Sequence, residues 1–211
     1  MLNQENRNGN TFNGNAFVDI TFLKDFKFTF NVGTTVNEIR YYTTTNPYYG
    51  FGAEQNGTVT MYHYRTTTLN LQQILNYSHN FGKHNISVML GHESYKYNYA
   101  ELSASKKNMF SYWGNHELNG AVIDGSSAAS YSNDYNTEGY FFRALYDYDA
   151  KYYFSASYRR DASSRFHPDH WWGNFYSVGG AYLMSKEDWF DVKWIDMLKI
   201  KFSIGQQGND N

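Results

Sequence analysis

Apolar and polar residues alternate with a period of two in several stretches of this chain. In FKFTFNV (26–32), three phenylalanines and Val32 alternate with Lys27, Thr29 and Asn31. The same pattern recurs in YFFRALYDY (140–148), YYFSASYR (152–159) and LKIKFSIG (198–205), and in weaker form at 15–23, 67–79, 85–93 and 174–184. A period of two is typical of a strand whose two faces meet different surroundings. The pattern predicts eight strands, each near the roughly 9–11 residues that a tilted membrane-spanning strand needs.

Short and long connections alternate between these strands. Tight turns are predicted at Lys24-Asp25, NFGK (80–83) and YDAK (148–151), and long connections at 38–60, 102–137 and 163–172. A transmembrane barrel sorts its loops in this way, with short turns at one rim and long loops at the other. One short connection, 185–197, is longer than the rest, and Ser185 followed by Asp188 resembles a capping pattern. We expect a helical turn there.

The two rows of each strand differ in charge. The rows predicted to face outward carry almost none, whereas the opposite rows carry Lys27, Arg143, Asp147, Arg159, Lys199 and Lys201. A water-filled lumen allows that arrangement and the interior of a packed sandwich does not. Arg143, Arg159, Lys199 and Lys201 are therefore candidates to face a lumen. For the two arginines the alternative, which we favour, is a structural ion pair with Asp147 or Asp161. Aromatic residues beside the short turns predict an interfacial girdle: Phe22, Phe26, Tyr77, Phe81, Tyr148 and Tyr152.

The composition supports an all-β chain and argues against several classes of function. Aromatic residues make up 20% of the 211 residues, yet the mean hydropathy is −0.68. The net charge is −2 without a basic block, which argues against nucleic-acid binding. The absence of cysteine excludes disulfides and thiolate chemistry. The first ten residues, MLNQENRNGN, lack the apolar core of a signal peptide.

The stretch RRDASSRFHPDHWWG (159–173) concentrates residue types that serve chemistry. Its Asp161, Ser163, Ser164, His167, Asp169 and His170 are better explained as parts of a hairpin tip than as a catalytic set, because an exposed loop rarely holds triad geometry. Asp161, Ser163 and Ser164 are expected to form the turn between a strand ending near Arg159 and one beginning at Gly173. We expect no enzyme activity. His167 and His170 lack a third ligand for a metal site.

Two further sets of loop residues are candidates for binding. Trp113, Trp171 and Trp172 are expected in outer loops, where aromatic rings stack on sugars as they do on bases, or pack against another loop or a partner. Asp124-Gly-Ser-Ser and residues 132–136 offer oxygen ligands, but they lack the complete ligand run of a calcium loop. No cofactor is expected, and loop calcium is the one ion left open.

The C-terminal third resembles the SusC/RagA family of TonB-dependent outer-membrane transporters of Bacteroidetes-type bacteria. Residues 140–166 are similar to a family hairpin that ends in R-x-D-x-S-S-R-F, and 172–190 to the next strand and its acidic turn. WIDMLKIKFSIGQQGN (194–209) is similar to the strand L-K-(I/L)-(K/R)-x-S-x-G-x-x-G-N. The signature residues are Arg159, Asp161, Ser163, Ser164, Arg165, Phe166, Gly205, Gly208 and Asn209.

The resemblance implies a 22-strand antiparallel barrel in the cell outer membrane, plugged by an N-terminal domain and driven by TonB. A SusD-like surface lipoprotein would capture oligosaccharide or peptide cargo. Residues 1–211 are then expected to be one partial barrel domain without the plug, about eight strands of the wall. The main alternative is a self-contained small eight-strand outer-membrane barrel that acts as an adhesin or surface-binding protein, since eight strands suffice to close a small barrel. A soluble β-sandwich lectin is the third possibility, which the sorted loops and uncharged outward rows oppose.

Overall fold

The computed structural model describes residues 3–110 and 116–208, with the side chains of 123–126 excepted. It contains one sheet of eight strands, in the order of the chain. The strands are β1 (Gln4–Phe22), β2 (Phe26–Thr45), β3 (Thr58–Phe81), β4 (His84–Met109), β5 (Ala121–Tyr148), β6 (Tyr152–Ser163), β7 (Trp172–Leu183) and β8 (Lys199–Gly205). Short 3₁₀ turns occupy Gly50–Gln55, Leu118–Gly120, Pro168–His170 and Met184–Lys186. The predicted all-β antiparallel architecture with eight strands is confirmed.

The tight turns fall where they were predicted. The β1–β2 turn has Leu23 and Lys24 at φ of 49° and 63°, and the β5–β6 turn has Asp149 and Ala150 at 55° and 50°. Two consecutive residues at positive φ are the hallmark of the two-residue hairpin turn that matches strand twist. In the described residues β1 and β8 do not pair with each other. The sheet therefore does not close on itself as a self-contained eight-strand barrel would.

The predicted strand lengths were wrong for the first five strands. The strands β3, β4 and β5 have 24, 26 and 28 residues. Most of the segments predicted as long connections, 38–60 and 102–137, are therefore strand. These segments carry polar residues on both sides, so the two-residue alternation disappears although Thr and Tyr still favour extended backbone. For the same reason, the end of β6 was predicted too early. Asp161 and Ser163 belong to β6 rather than to a turn.

The chain forms two compact units. The first contains residues 1–14, 33–69 and 97–134, and the second contains 15–32, 70–96 and 135–211. In the first unit, Val59, Met109 and Ala121 form a small buried cluster with Leu118 packed on it. This cluster joins the ends of β3, β4 and β5 beside their connections. The second unit contains all the tight turns and the C-terminal hairpins.

The expected helical turn is a single 3₁₀ turn that lies one residue earlier than predicted. It spans Met184–Lys186, and no side chain caps it. The Ser185–Asp188 capping pattern was wrong, because Ser185 lies inside the turn and its backbone N–H donates to the Leu198 carbonyl at 3.4 Å. Among the described residues, no helix is long and apolar enough to cross a membrane.

Candidate functional site

The register of the last four strands separates an apolar face from a polar face. Directly paired residues on antiparallel strands share a face, and Tyr146 pairs with Phe154, Phe154 with Gly180, and Gly180 with Phe202. Even-numbered residues of β5–β8 from 140 to 204 thus form the apolar face, and odd-numbered residues form the polar face. Among the even-numbered residues of 140–148, 152–160, 174–182 and 200–204, Arg160 is the one charged residue.

The apolar face is exposed rather than packed into a core. Phe202 and Ile204 are 67% and 73% exposed, and Tyr176 is 59% exposed. Only Val59, Met109 and Ala121 are buried apolar residues among those the structure describes. A soluble sandwich would bury such a face against a second sheet. The exposed rows instead match the lipid-facing band of a membrane barrel.

A belt of nine rings borders this face beside the short turns. Neighbouring centroids are 4.8–6.3 Å apart, so the belt runs without a gap from β1 to β7. Its members are Phe22, Phe26, Tyr77, His79, Phe81, His84, Tyr148, Tyr152 and Tyr182. All six residues predicted for an aromatic girdle are members. Sequence reasoning missed His79, His84 and Tyr182, whose positions next to the short turns were a usable signal.

Polar groups end the apolar face at the other end of the strands. On β6 the face ends at Arg160, whose guanidinium carbon lies 4.8 Å from the centroid of the Trp172 ring. Tyr140 stacks on the same ring at 6.0 Å. On β4 it ends at His92, whose Nε2 lies 3.2 Å from Oε1 of Glu138. Such amphipathic side chains are typical of the interface between hydrocarbon and headgroups.

The distance between these two borders is constant. From His84 to His92, from Tyr148 to Tyr140 and from Tyr152 to Arg160 the chain advances eight residues. At about 3.3 Å per residue this is about 26 Å along the strand. The apolar band of an outer-membrane barrel is about 25 Å tall. The three strands therefore carry an apolar stretch of membrane length.

The polar face collects the charged residues of the C-terminal strands. The Lys199 ammonium lies 3.7 Å from the centroid of the Tyr153 ring. Asp147 accepts a hydrogen bond from Nδ2 of Asn85 at 3.0 Å. Among the ion pairs of the described residues, none joins Asp147 to Arg143. That this face lines a lumen stays a prediction. The four lumen candidates all lie on it: Arg143, Arg159, Lys199 and Lys201.

The family-signature arginine is the centre of a cluster on the polar face. Nε of Arg159 lies 2.7 Å from both carboxylate oxygens of Asp161, which confirms the expected ion pair. Its Nη2 lies 3.8 Å from Oε2 of Glu93, and its guanidinium carbon 5.6 Å from the Phe141 centroid. The Phe141 ring covers Gly91, where an added Cβ would overlap it. Sequence reasoning missed Gly91 and Glu93, although their odd numbering in the 85–93 stretch put them on the polar row.

The rest of the R-x-D-x-S-S-R-F signature ties down the β6–β7 hairpin tip. Ser163 is buried, and its backbone N–H donates to the Trp171 carbonyl at 3.1 Å. The Ser164 hydroxyl accepts from the backbone of Asn136 at 2.8 Å. Arg165 stacks on Tyr135, with 4.0 Å between its guanidinium carbon and the ring centroid. The signature residues thus attach the hairpin tip to β5 and β6.

The two tryptophans at the tip have different surroundings. Nε1 of Trp171 donates to the Phe166 carbonyl at 2.8 Å, while the ring is 41% exposed. Trp172 is 40% exposed and lies on the apolar face under Arg160. Trp113 and Asn209 lie outside the described residues, as do the side chains of Asp124 and its neighbours.

The two signature glycines lie at and after the end of β8. Gly205 pairs with Ser177, and the Phe175 ring covers Gly208.

The candidate metal ligands lie at the β6–β7 hairpin tip. Nδ1 of His167 lies 3.4 Å from Oδ2 of Asp169. In residues 3–110 and 116–208, no group of three or more His, Asp or Glu side chains is arranged to hold a metal.

Ion pairs link the short turns. Nζ of Lys83 lies 2.8 Å from Oδ2 of Asp149, and Nζ of Lys151 lies 3.1 Å from Oε2 of Glu187. The hydrogen bond from Lys83 lowers the pKa of Asp149 below its usual value. Hydrogen bonds from the Tyr152 hydroxyl and then from Lys151 lower the pKa of Glu187. The Glu187 connection is thereby attached to the β5–β6 turn.

Glu187→Gln should lower the thermal unfolding midpoint of the full-length protein at neutral pH but not in acid. A carboxyl group with a lowered pKa contributes its stabilisation above the unfolded pKa and loses it as pH falls through the folded pKa. The difference in midpoint from wild type should therefore be constant from pH 6 to 8, shrink below the ordinary Glu value of 4.5, and vanish at lower pH. Asp191→Asn changes an exposed carboxylate of the same connection and should have little effect. A pH-independent difference would contradict this explanation.

Comparison with known proteins identifies relatives of this chain. The chain is 29% identical to TonB-dependent receptor P3 of Formosa agariphila over 97% of its length, and 26% identical to TonB-dependent receptor SusC of Bacteroides thetaiotaomicron over 100%. The chain is thus similar over nearly all of its length to TonB-dependent receptors, in agreement with the resemblance in its C-terminal third. Its fold matches the RagAB peptide importer with a TM-score of 0.89, at 24% identity over 97% of the chain.

These relatives are much longer than this chain. It spans about one fifth of each curated relative, 21% in both cases, and 23% of the importer chain. No family model matches. The fold of the eight strands matches part of the barrel of the RagAB importer.

Proposed function

We propose that this chain forms part of the wall of an outer-membrane importer driven by TonB. The apolar face of β5–β8 would contact lipid, and the polar face would line the barrel interior. The observation that carries this proposal is the exposed apolar face bounded by the ring belt and by Arg160 and His92. Its length of about 26 Å suits a bilayer core, and no soluble architecture would leave it exposed.

The complete importer would work with the remainder of the barrel and its plug, with TonB and with a SusD-like surface lipoprotein. Its cargo would be a glycan or a peptide. The relative named SusC and the RagAB peptide importer support this assignment. Within this chain, Trp171, which is 41% exposed at the hairpin tip, would contact a ligand or partner. Trp172 would instead anchor the hairpin at the membrane surface, because it lies on the apolar face.

A fluorophore placed on either face should distinguish lipid from lumen. These 211 residues contain no cysteine, so Val178→Cys and Ser177→Cys introduce neighbouring label sites on opposite faces once any cysteine elsewhere in the full-length protein is replaced by serine. In full-length protein reconstituted into bilayers, a bimane at position 178 should be quenched strongly by lipids brominated on their acyl chains. The same label at position 177 should be quenched weakly. Equal quenching at the two positions would contradict the assignment of the faces.

Transport itself can be tested in the native bacterium. Deletion of the gene should abolish uptake of the cargo, and the tagged full-length protein purified from outer membranes should bring a surface lipoprotein with it. Recovery of the protein from the soluble fraction, or a deletion strain without any uptake defect, would contradict the importer assignment.

A further inference from the structure

A row of five tyrosines crosses four strands in the first unit. It runs from Tyr41 on β2, through Tyr62 and Tyr64 on β3, to Tyr99 on β4 and Tyr131 on β5. Adjacent centroids are 5.4, 6.0, 6.4 and 6.1 Å apart. We call these residues the tyrosine row. Since the rings touch across neighbouring strands, they form one continuous platform on one face of the sheet.

The rings of the row are exposed within the part of the barrel wall that this chain forms. Tyr131 is 57% exposed, and the other four side chains are partly exposed. The buried apolar cluster of this unit, which contains Val59 and Met109, does not include them. The rings therefore do not serve as the core of the unit. An aromatic platform of this length without a core role resembles a stacking surface.

The chemistry around the row is polar and suits hydroxyl groups. The Tyr99 hydroxyl donates to Oε2 of Glu101 at 2.8 Å. On β3, Thr60, two residues before Tyr62, donates to Ser105 at 3.1 Å. Burial, followed by the hydrogen bond to Glu101, raises the pKa of Tyr99 to about 12. Burial also raises the pKa of Tyr41 and of Tyr64. Tyr41, Tyr64 and Tyr99 thus stay uncharged at physiological pH and offer ring faces with neutral hydroxyls.

We propose that the tyrosine row is a binding surface for a neutral oligosaccharide. Sugar rings present apolar C–H faces that stack on aromatic rings and hydroxyls that bond to the phenols and to Glu101. A peptide fits less well, because peptides pair with free strand edges or fill apolar grooves. The backbone groups inside this sheet are already engaged in strand pairing. The inference rests on the proposed importer function in taking the ligand to be its cargo.

Substitution of the central ring tests the proposal. Binding of neutral α-1,4-glucan, β-1,3-glucan, β-2,6-fructan and β-1,4-mannan oligosaccharides of six residues would be measured by calorimetry on the full-length protein. Wild type should bind at least one of them. Tyr64→Ala should weaken that binding at least ten-fold, by the usual loss of one stacking partner, and Tyr64→Phe should keep it within about three-fold because the ring remains.

Tyr42→Ala is the matched control. Tyr42 follows Tyr41 on β2 and so points to the other side of the sheet, where it stacks on His116 at 4.6 Å. It should leave binding unchanged, while the heat-dependent gel mobility of every variant reports folding. Equal affinity of wild type and Tyr64→Ala, or binding of a peptide mixture but of no glycan, would overturn the proposal. In either case, cargo uptake by the wild-type strain would still support the importer function. If the wild-type strain showed no cargo uptake, the importer function would be contradicted as well.

Discussion

Replacing Ala156 with arginine should destabilise the full-length protein in a bilayer by about 2–4 kcal/mol, the cost of a cation on the lipid face near the midplane of a barrel. Ala156 lies halfway between Tyr152 of the ring belt and Arg160 at the other border of the apolar face. Its directly paired neighbours are Ala144 and Val178. These small side chains leave room for the longer one, so the loss would come from desolvation of the charge rather than from a steric clash.

Ser155→Arg is the matched control for this substitution. Ser155 is the preceding residue of β6 and lies on the polar face, between Leu145 and Gly179. Its weak hydrogen bond to the Gly179 carbonyl, at 3.5 Å, is all that the change would remove. The free energy of unfolding, measured by denaturant titration in lipid vesicles, should change by well under half the Ala156→Arg value. Similar losses for both variants would mean that the two faces meet the same environment.

The sequence predicted most of the fold because one face of the strands is apolar over part of their length. In 140–148 and 152–159 the two faces differ strictly, as the proposed contact of one face with lipid requires. Beyond the apolar band, β2 through Thr45 and β5 from Ala121 carry polar residues on either side. Hydrophobic periodicity carries no signal there. Pairing with neighbouring strands determines where such strands end, and one sequence does not show this.

Candidate sites that depend on local sequence were also predictable, whereas those that depend on strand pairing were not. The six girdle residues were predictable because their position beside the short turns is a local property. The ion pair of Arg159 with Asp161 was predictable because the two residues are two apart on one strand face. Glu93 and the tyrosine row depend on which residues face each other across separate strands. The register that brings Tyr64 beside Tyr99 is set by the whole sheet, so the row was not visible along the chain.

Gly91→Val should destabilise the protein by about 1–3 kcal/mol, the usual cost of forcing a side chain into an occupied space. The Phe141 ring lies directly over Gly91, so any Cβ must displace it. Displacement would also take the ring away from Arg159, whose guanidinium carbon is 5.6 Å from its centroid. Gly9→Val makes the same change in β1, where the new Cβ would meet Ile39 at an ordinary 3.5 Å. Because valine favours strands, the free energy of unfolding should be unchanged or slightly higher in this control.

A double-mutant cycle can show that the contact with Phe141 is the cause. Phe141→Ala alone removes the ring and leaves Gly91 uncovered, whereas in Gly91→Val/Phe141→Ala the valine occupies part of the vacated space. The double variant should therefore be more stable than the sum of the two single losses predicts, by about 1 kcal/mol or more. Strict additivity would mean that Gly91 is required for its backbone alone. A non-additive cycle would instead show that the Phe141 ring, which lies 5.6 Å from the Arg159 guanidinium carbon, needs a glycine on the neighbouring strand.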